Sequence, residues 1–272
     1  MTLQEKHIID VSFDFTTDTA GFWTNFWDND PYFGCMGNDP DACSKTLKRY
    51  HQLLWSKTLP NGEKMLLDSK NNNQYLVWND FSFGSDSILV TLRYKRNRDL
   101  LQKVSEKIPN YHEFIETTLR KFYTIGGSII FPKHKNSINQ VRGCNTKICD
   151  RWDLTLECIR KFYNSEESPL YNALCADKAF FDLFVDFKGY VDFFYLNDCV
   201  SADYKKVNIW LDNNDFTVSP LPESVEDYLM LIDKQLSFLQ ARNERIRRAI
   251  QEGNYDFRNK TPHYQRIHPE GF

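Results

Sequence analysis

Between Ser224 and Gln251 the apolar residues Val225, Leu229, Ile232, Leu236, Leu239, Ile246 and Ile250 recur with the four-and-three spacing of one helix face, broken only where Asn243 takes an apolar slot. A long helix with such a stripe has to bury it, on the rest of its own chain or on a second copy. The fold must therefore offer an extended apolar surface. Packing on the protein's own sheet is the expected use, and a homo-oligomer formed through the seam is the alternative.

The chain has the material for that surface. Hydrophobic residues make up 41% and aromatic residues 15% of 272, ample for a core and unlike a disordered composition. The most aromatic stretch, Phe180 to Val200, is interrupted by Asp182, Asp186, Lys188, Asp192 and Asp198, so it reads as core and not as a membrane span. A formal net charge of -3 gives no global basic field to draw in nucleic acid or an anionic membrane. The segment Met1 to His7 has no apolar run of the secretory kind, which predicts a cytoplasmic protein with its seven cysteines reduced.

Periodicity predicts an α+β fold: a mixed or antiparallel sheet packed with several helices and the long C-terminal helix. Strands are expected over His7–Phe15, Met65–Leu67, Tyr75–Trp78, Ile88–Tyr94, Gly126–Pro132 and Val207–Leu211. Helices are expected from Ser44, whose hydroxyl can cap, and over Asn97–Lys107, Asn110–Tyr123, Asp150–Tyr163, Asp177–Phe187 and Ser224–Gln251. No linker or repeat divides the chain, so residues 1–272 read as a single α+β domain, with 1–44 and 253–272 peripheral.

The densest polar cluster lies between Asn139 and Arg160. Asn139, Gln140, Arg142 and Gly143 read as a donor-rich loop handing over to a helix on which Asp153, Glu157 and Arg160 share a stripe. Anions are favoured at such a loop-to-helix junction. The expected site therefore has Asp153 and Glu157 as catalytic carboxylates, with Asn139, Gln140, Arg142, Asp150, Arg151 and Arg160 binding substrate or phosphate, all lining one concave pocket. The bland alternative is a solvated helix face carrying ordinary ion pairs.

Other groups are weaker. Ser85-Asp86-Ser87 after Gly84 can hold a ligand hydroxyl or phosphate, but the same residues make turns. His51, after Tyr50, is more commonly a satisfied histidine than a catalyst. Cys144, Cys149 and His134 lack the second close pair of a structural zinc site, so no metal is assigned. Arg242, Arg245, Arg247 and Arg248 offset the C-terminal helix dipole, with a phosphate contact as the sharper reading. Walker, dinucleotide-binding, nucleophile-elbow and zincin signatures are missing, and no cofactor is assigned.

Several phrases together, Leu54-Trp55-Ser56-Lys57, Leu59-Pro60-Asn61-Gly62, Ser85-Asp86-Ser87-Ile88, Ile125-Gly126-Gly127, Asp150-Arg151 with Asp153 to Arg160, and Asp186 to Val191, resemble an uncharacterised family of bacterial proteins. The resemblance covers roughly residues 45 to 250. It implies a bacterial or phage-borne cytoplasmic protein and brings no established activity. Function is therefore an expectation from residues: an enzyme acting on a nucleotide or nucleic acid through the 139–160 site. An ADP-ribosyl transferase, with Tyr50-His51, Ser85 to Ser87 and Glu157 in order, is a variant. A non-catalytic assembly protein using the C-terminal seam is the alternative from another class.

Overall fold

The structure, a computed structural model, describes residues 9–34, 37–69, 75–89, 97–211 and 216–252. The chain runs through α1 (Phe22–Asn29), α2 (Pro40–Cys43) and α3 (Lys45–Trp55) into a hairpin of β1 (Leu76–Trp78) and β2 (Phe81–Ser87). Helices α4 (Arg98–Lys107) and α5 (Tyr111–Phe122) follow, then β3 (Ser128–Pro132), α6 (Ile138–Cys144) and α7 (Trp152–Tyr163). Three short helices, α8 (Tyr171–Ala176), α9 (Lys178–Asp182) and α10 (Phe187–Phe193), precede the long α11 (Val225–Gln251). This is an α+β fold.

The described strands form one antiparallel sheet of order β1-β2-β3, with Gly84 opposite Phe131 and Asp86 opposite Ile129. Every residue of β3 is buried, as its unbroken apolar run requires. The 3-10 turn Ile125–Gly127 precedes the strand directly, and Pro132 is its last residue.

Serine hydroxyls start two helices, at Ser44, where capping was expected, and at Ser224. Ser44 Oγ accepts from the Leu47 amide at 3.0 Å, and Ser224 Oγ accepts from the Asp227 amide at 3.0 Å. Helix α11 lies against the 3-10 turns Ile125–Gly127 and Asn197–Cys199 and against α4 and α5, so its apolar seam is spent inside the chain. Its buried face is Tyr228, Leu231, Ile232, Gln235, Phe238, Leu239, Arg242 and Ile246, while Val225, Leu229, Leu236 and Ile250 flank it half-buried. Asn243, which broke the stripe, accepts from the Gly126 amide at 2.8 Å and donates to Thr124 Oγ1 at 3.0 Å. A Cβ at Gly126 would come within 2.5 Å of the Asn243 amide oxygen, so this glycine admits the contact.

Several expected strands are replaced, each for a local reason. Residues 9–20 alternate apolar and polar but form turns, because Asp10 and Asp14 accept the amides two residues on, from Ser12 and Thr16, both at 2.9 Å. These residues also join the core, where Phe15, Phe22 and Phe26 are fully buried, so the described part of 1–44 is not peripheral. Met65–Leu67 and Val207–Leu211 contribute only isolated bridges at their margins, Thr58 with Lys64, Asp68 with Val77, and Val200 with Val207. The strand predicted from Ile88 begins where β2 ends, and residues 90–96 lie outside the described residues, as do 253–272. The helix expected over Asp177–Phe187 is split into α9 and α10, with Asp186 capping the second by accepting from the Gly189 amide at 2.7 Å.

Candidate functional site

A cavity of about 220 Å³ opens where α2 meets the middle of β2, lined by Asp39, Asp41, Gly84, Ser85, Asp86 and Lys133, with Ala42, Tyr75 and Asn139 at its margin. The local sequence explains how the carboxylates arrive there. Asp39 caps α2 by accepting from the Asp41 amide at 3.0 Å, and Pro40 occupies the first helical position, where its missing amide proton costs nothing. Asp41 is thereby set against β2. A Cβ at Gly84 would sit 3.3 Å from Lys133 Cδ, so the bare backbone lets that lysine lie across the strand.

Hydrogen bonds run back from this cavity into the core. Ser85 Oγ is 2.5 Å from Asp41 Oδ1 and 2.8 Å from His51 Nε2, and His51 Nδ1 is 2.9 Å from Trp55 Nε1. Burial pushes the Asp41 carboxyl well above the usual range, and the neighbouring Asp39 and Asp86 push the same way. Burial likewise takes Asp86 up to about 7, against the pull of Arg142. His51 goes the other way, down to about 3, through burial first and the Arg242 cation second. The cavity therefore presents two carboxyls that change charge at higher pH than ordinary ones, backed by an imidazole that stays neutral.

The residues singled out between Asn139 and Arg160 do not meet in one pocket. The expected loop is helical, forming α6. Asn139 lines the cavity and accepts from Lys133 Nζ at 3.4 Å, whereas Gln140 is exposed, its Oε1 accepting from the Asn136 amide at 3.3 Å. Arg142 is fully buried behind the cavity wall. It donates to Asp86 Oδ2 at 2.7 Å, the Ser87 carbonyl at 3.2 Å, the Asp150 carbonyl at 2.6 Å and Thr155 Oγ1 at 3.3 Å. Asp150 sets its carboxylate 3.4 Å from the same guanidinium and close over Gly143.

Arg151 and Asp153 are paired with each other out of contact with solvent. Asp153 Oδ2 also accepts from the Trp210 amide at 2.8 Å, and Arg151 Nη1 donates to the Pro220 carbonyl at 3.0 Å. The pair ties Trp210 and Pro220 to α7. Glu157 and Arg160 clasp one another through two 2.8 Å bonds, and Glu157 lines a separate cleft with Lys147, Lys161, Glu167 and Phe216.

The C-terminal arginines divide in the same way. Arg242 is fully buried and donates only to carbonyls in its described bonds, to Phe194 at 3.1 Å, Gly126 at 2.7 Å and Ser128 at 3.0 Å, and burial takes it down to about 10. Arg245 pairs with Asp198 at 2.9 Å, and Arg248 with Glu244 at 3.2 Å.

Periodicity in the sequence pointed to none of Asp39, Asp41 and Lys133. The available signal was the Asp-Pro-Asp cap beside a short strand carrying Ser85 and Asp86. Among the described residues no three His, Cys, Asp or Glu side chains converge as a metal site would require, and no helix is long and apolar enough to cross a membrane.

Residues 9–246 match the model of a family of unknown function, DUF6994. No curated protein and no solved structure matches the chain.

Proposed function

We propose, for a chain that belongs to the DUF6994 family of unknown function, that the cavity between α2 and β2 binds a small hydroxyl-rich ligand of the nucleoside or nucleotide class and performs general acid–base chemistry on it. The observation that carries this reading is the pair Asp41 and Asp86, two carboxyls raised by burial and by acidic neighbours within one cavity. A carboxyl near neutrality exchanges a proton with substrate at the pH where the cell works.

The lining narrows the ligand. Asp39, Asp41, Asp86 and Ser85 are rich in acceptors, which favours a ligand rich in donors, such as the vicinal hydroxyls of a sugar or an exocyclic amine. Among the described residues Lys133 supplies the cavity's cation, and it is the group that would meet a phosphate. The volume suits one sugar ring better than a whole dinucleotide.

ADP-ribosyl transfer has less support. It needs Glu157 beside Ser85, and Glu157 lines a different cleft. Assembly through the C-terminal seam has less too, because α11 buries its apolar face on its own chain. The reading is of a bacterial cytoplasmic protein, the setting that its family resemblance implies, and the free thiols of the described cysteines accord with a reducing compartment.

Saturation-transfer NMR with ribose, adenosine and AMP tests the reading. Adenosine and AMP bind the wild-type protein, Asn139→Ala weakens both, and Lys133→Ala weakens AMP roughly tenfold more than adenosine, the loss of one charge-assisted hydrogen bond. Absence of binding by all three probes to the wild-type protein would overturn it.

A further inference from the structure

Trp55 sets the direction of three successive hydrogen bonds. An indole N–H donates and cannot accept, so its 2.9 Å contact makes His51 Nδ1 a bare acceptor. Fully buried and close to the Arg242 cation, His51 does not take up a second proton. A neutral imidazole with a bare Nδ1 carries its proton on Nε2. Nε2 therefore donates to Ser85 Oγ at 2.8 Å, and the serine proton is directed to Asp41 Oδ1 at 2.5 Å.

That polarity decides what each group does. A serine nucleophile needs a base with a free lone pair facing its hydroxyl. Here the facing nitrogen bears the proton, and the other nitrogen is occupied by Trp55. Asp41 Oδ1 is likewise held as an acceptor, and the Ser87 backbone amide is a second donor to the same carboxyl. We infer that Trp55, His51 and Ser85 are positioning residues for Asp41: they fix His51 as the neutral Nε2–H tautomer, lock Ser85 as a donor to Asp41 Oδ1, and keep His51 from serving as the base of a Ser85 nucleophile.

The acid–base role rests on the function proposed above; the polarity of the chain does not. The charged groups facing Asp41 are Asp39 from the cap of α2 and Asp86 from β2, with Lys133 across the cavity, and Arg242 from α11 faces His51. Burial and the two acids raise Asp41, while the donors from Ser85 and from the Ser87 backbone act to lower it.

The test uses the full-length protein without ligand. Long-range proton–nitrogen spectra between pH 5 and 8 should show His51 as the neutral Nε2–H tautomer throughout. Carboxyl carbon titration should show the Asp41 midpoint moving further up in Ser85→Ala, which loses a donor to the carboxylate, and returning in Ser85→Thr.

A His51 ring protonated at Nδ1, a His51 titration inside that range, or an unmoved Asp41 in Ser85→Ala would each overturn the inference. If Ser85→Ala fails to fold, the wild-type ring spectra decide alone. A protein with the stated tautomer that binds no nucleoside keeps the relay and loses the functional reading, and the opposite pair of results does the reverse.

Discussion

Arg142 on α6 reaches Asp86 on β2 through a 2.7 Å bond from Nη1 to Oδ2, and this contact joins the polar stretch that the sequence makes conspicuous to the cavity that the fold creates. The guanidinium is sealed from solvent while the carboxylate still has a side facing the cavity. Arg142 thus serves the site from behind, by holding a partly ionised Asp86 in a buried place.

Removing that guanidinium should therefore unfold the protein more readily, not merely silence it. Arg142→Ala leaves a buried carboxyl without its cation, a class of change that costs about 3–5 kcal/mol. Urea denaturation should show a loss of this size, and the Asp86 midpoint should move above its wild-type place near 7. Adding Asp86→Asn should return part of the stability. A stable Arg142→Ala protein that has lost only ligand binding would place the arginine in contact with the ligand.

The dry Arg151–Asp153 pair makes a second case of the same kind with a local readout. Asp153→Ala takes the carboxylate from a buried ion pair out of contact with solvent, a class of change that costs about 3–5 kcal/mol. It also removes the acceptor of the Trp210 amide, so exchange at that amide should accelerate beyond what global destabilisation explains. Equal acceleration across α7 and at Trp210 would mean that Asp153 does not hold Trp210 in particular.

Glu157 gives the opposite expectation. Its bond with Arg160 spans three residues of one helix near the surface, where such pairs are worth about 0–1 kcal/mol. Glu157→Gln should melt within a few degrees of wild type and bind nucleoside as wild type does, because Glu157 lines another cleft. Loss of binding in this variant would move the site to α7.

What was legible in the sequence follows the reach of the forces involved. The caps Ser44 and Ser224 act on amides three residues away, and a local pattern shows them. The buried stripe of α11 is a period, and it too can be read, although the core selects Tyr228, Leu231 and Phe238 where the spacing favoured Leu229 and Leu236. The segment 9–15 misled because its alternation is real while the short-range bonds from Asp10 and Asp14 defeat the strand. The cavity was illegible for a different reason. Asp41, Ser85, Lys133 and Asn139 are brought together by sheet register and by the docking of α2, and no periodicity along the chain encodes those distances. Arg142, Arg151 and Asp153 looked like a ligand site because charge at a helix start looks the same whether it faces solvent or pairs inside the core.

The pH dependence of stability separates the two sides of the relay, because His51 and Asp86 shift in opposite senses. His51 lies at about 3 in the fold against an ordinary 6.5, so the unfolded chain takes up a proton that the native state refuses. Its contribution is complete above about 6.5 and is lost as pH falls toward 3, at about 1.4 kcal/mol per pH unit. Asp86 lies at about 7 against 3.8, so the native state holds the extra proton; its contribution is complete below about 3.8 and is lost as pH rises toward 7. Asp41, also raised, adds to the Asp86 side. Subtracting the variant's stability from that of wild type isolates each group. The difference for His51→Gln should grow with pH from about 3 and level off above about 6.5, whereas the difference for Asp86→Asn should shrink with pH between about 4 and 7. Denaturant midpoints taken at half-unit intervals of pH measure both. Parallel curves for His51→Gln and wild type would mean that the imidazole is protonated in the fold as readily as outside it, and the one-way chain from Trp55 to Asp41 would not stand.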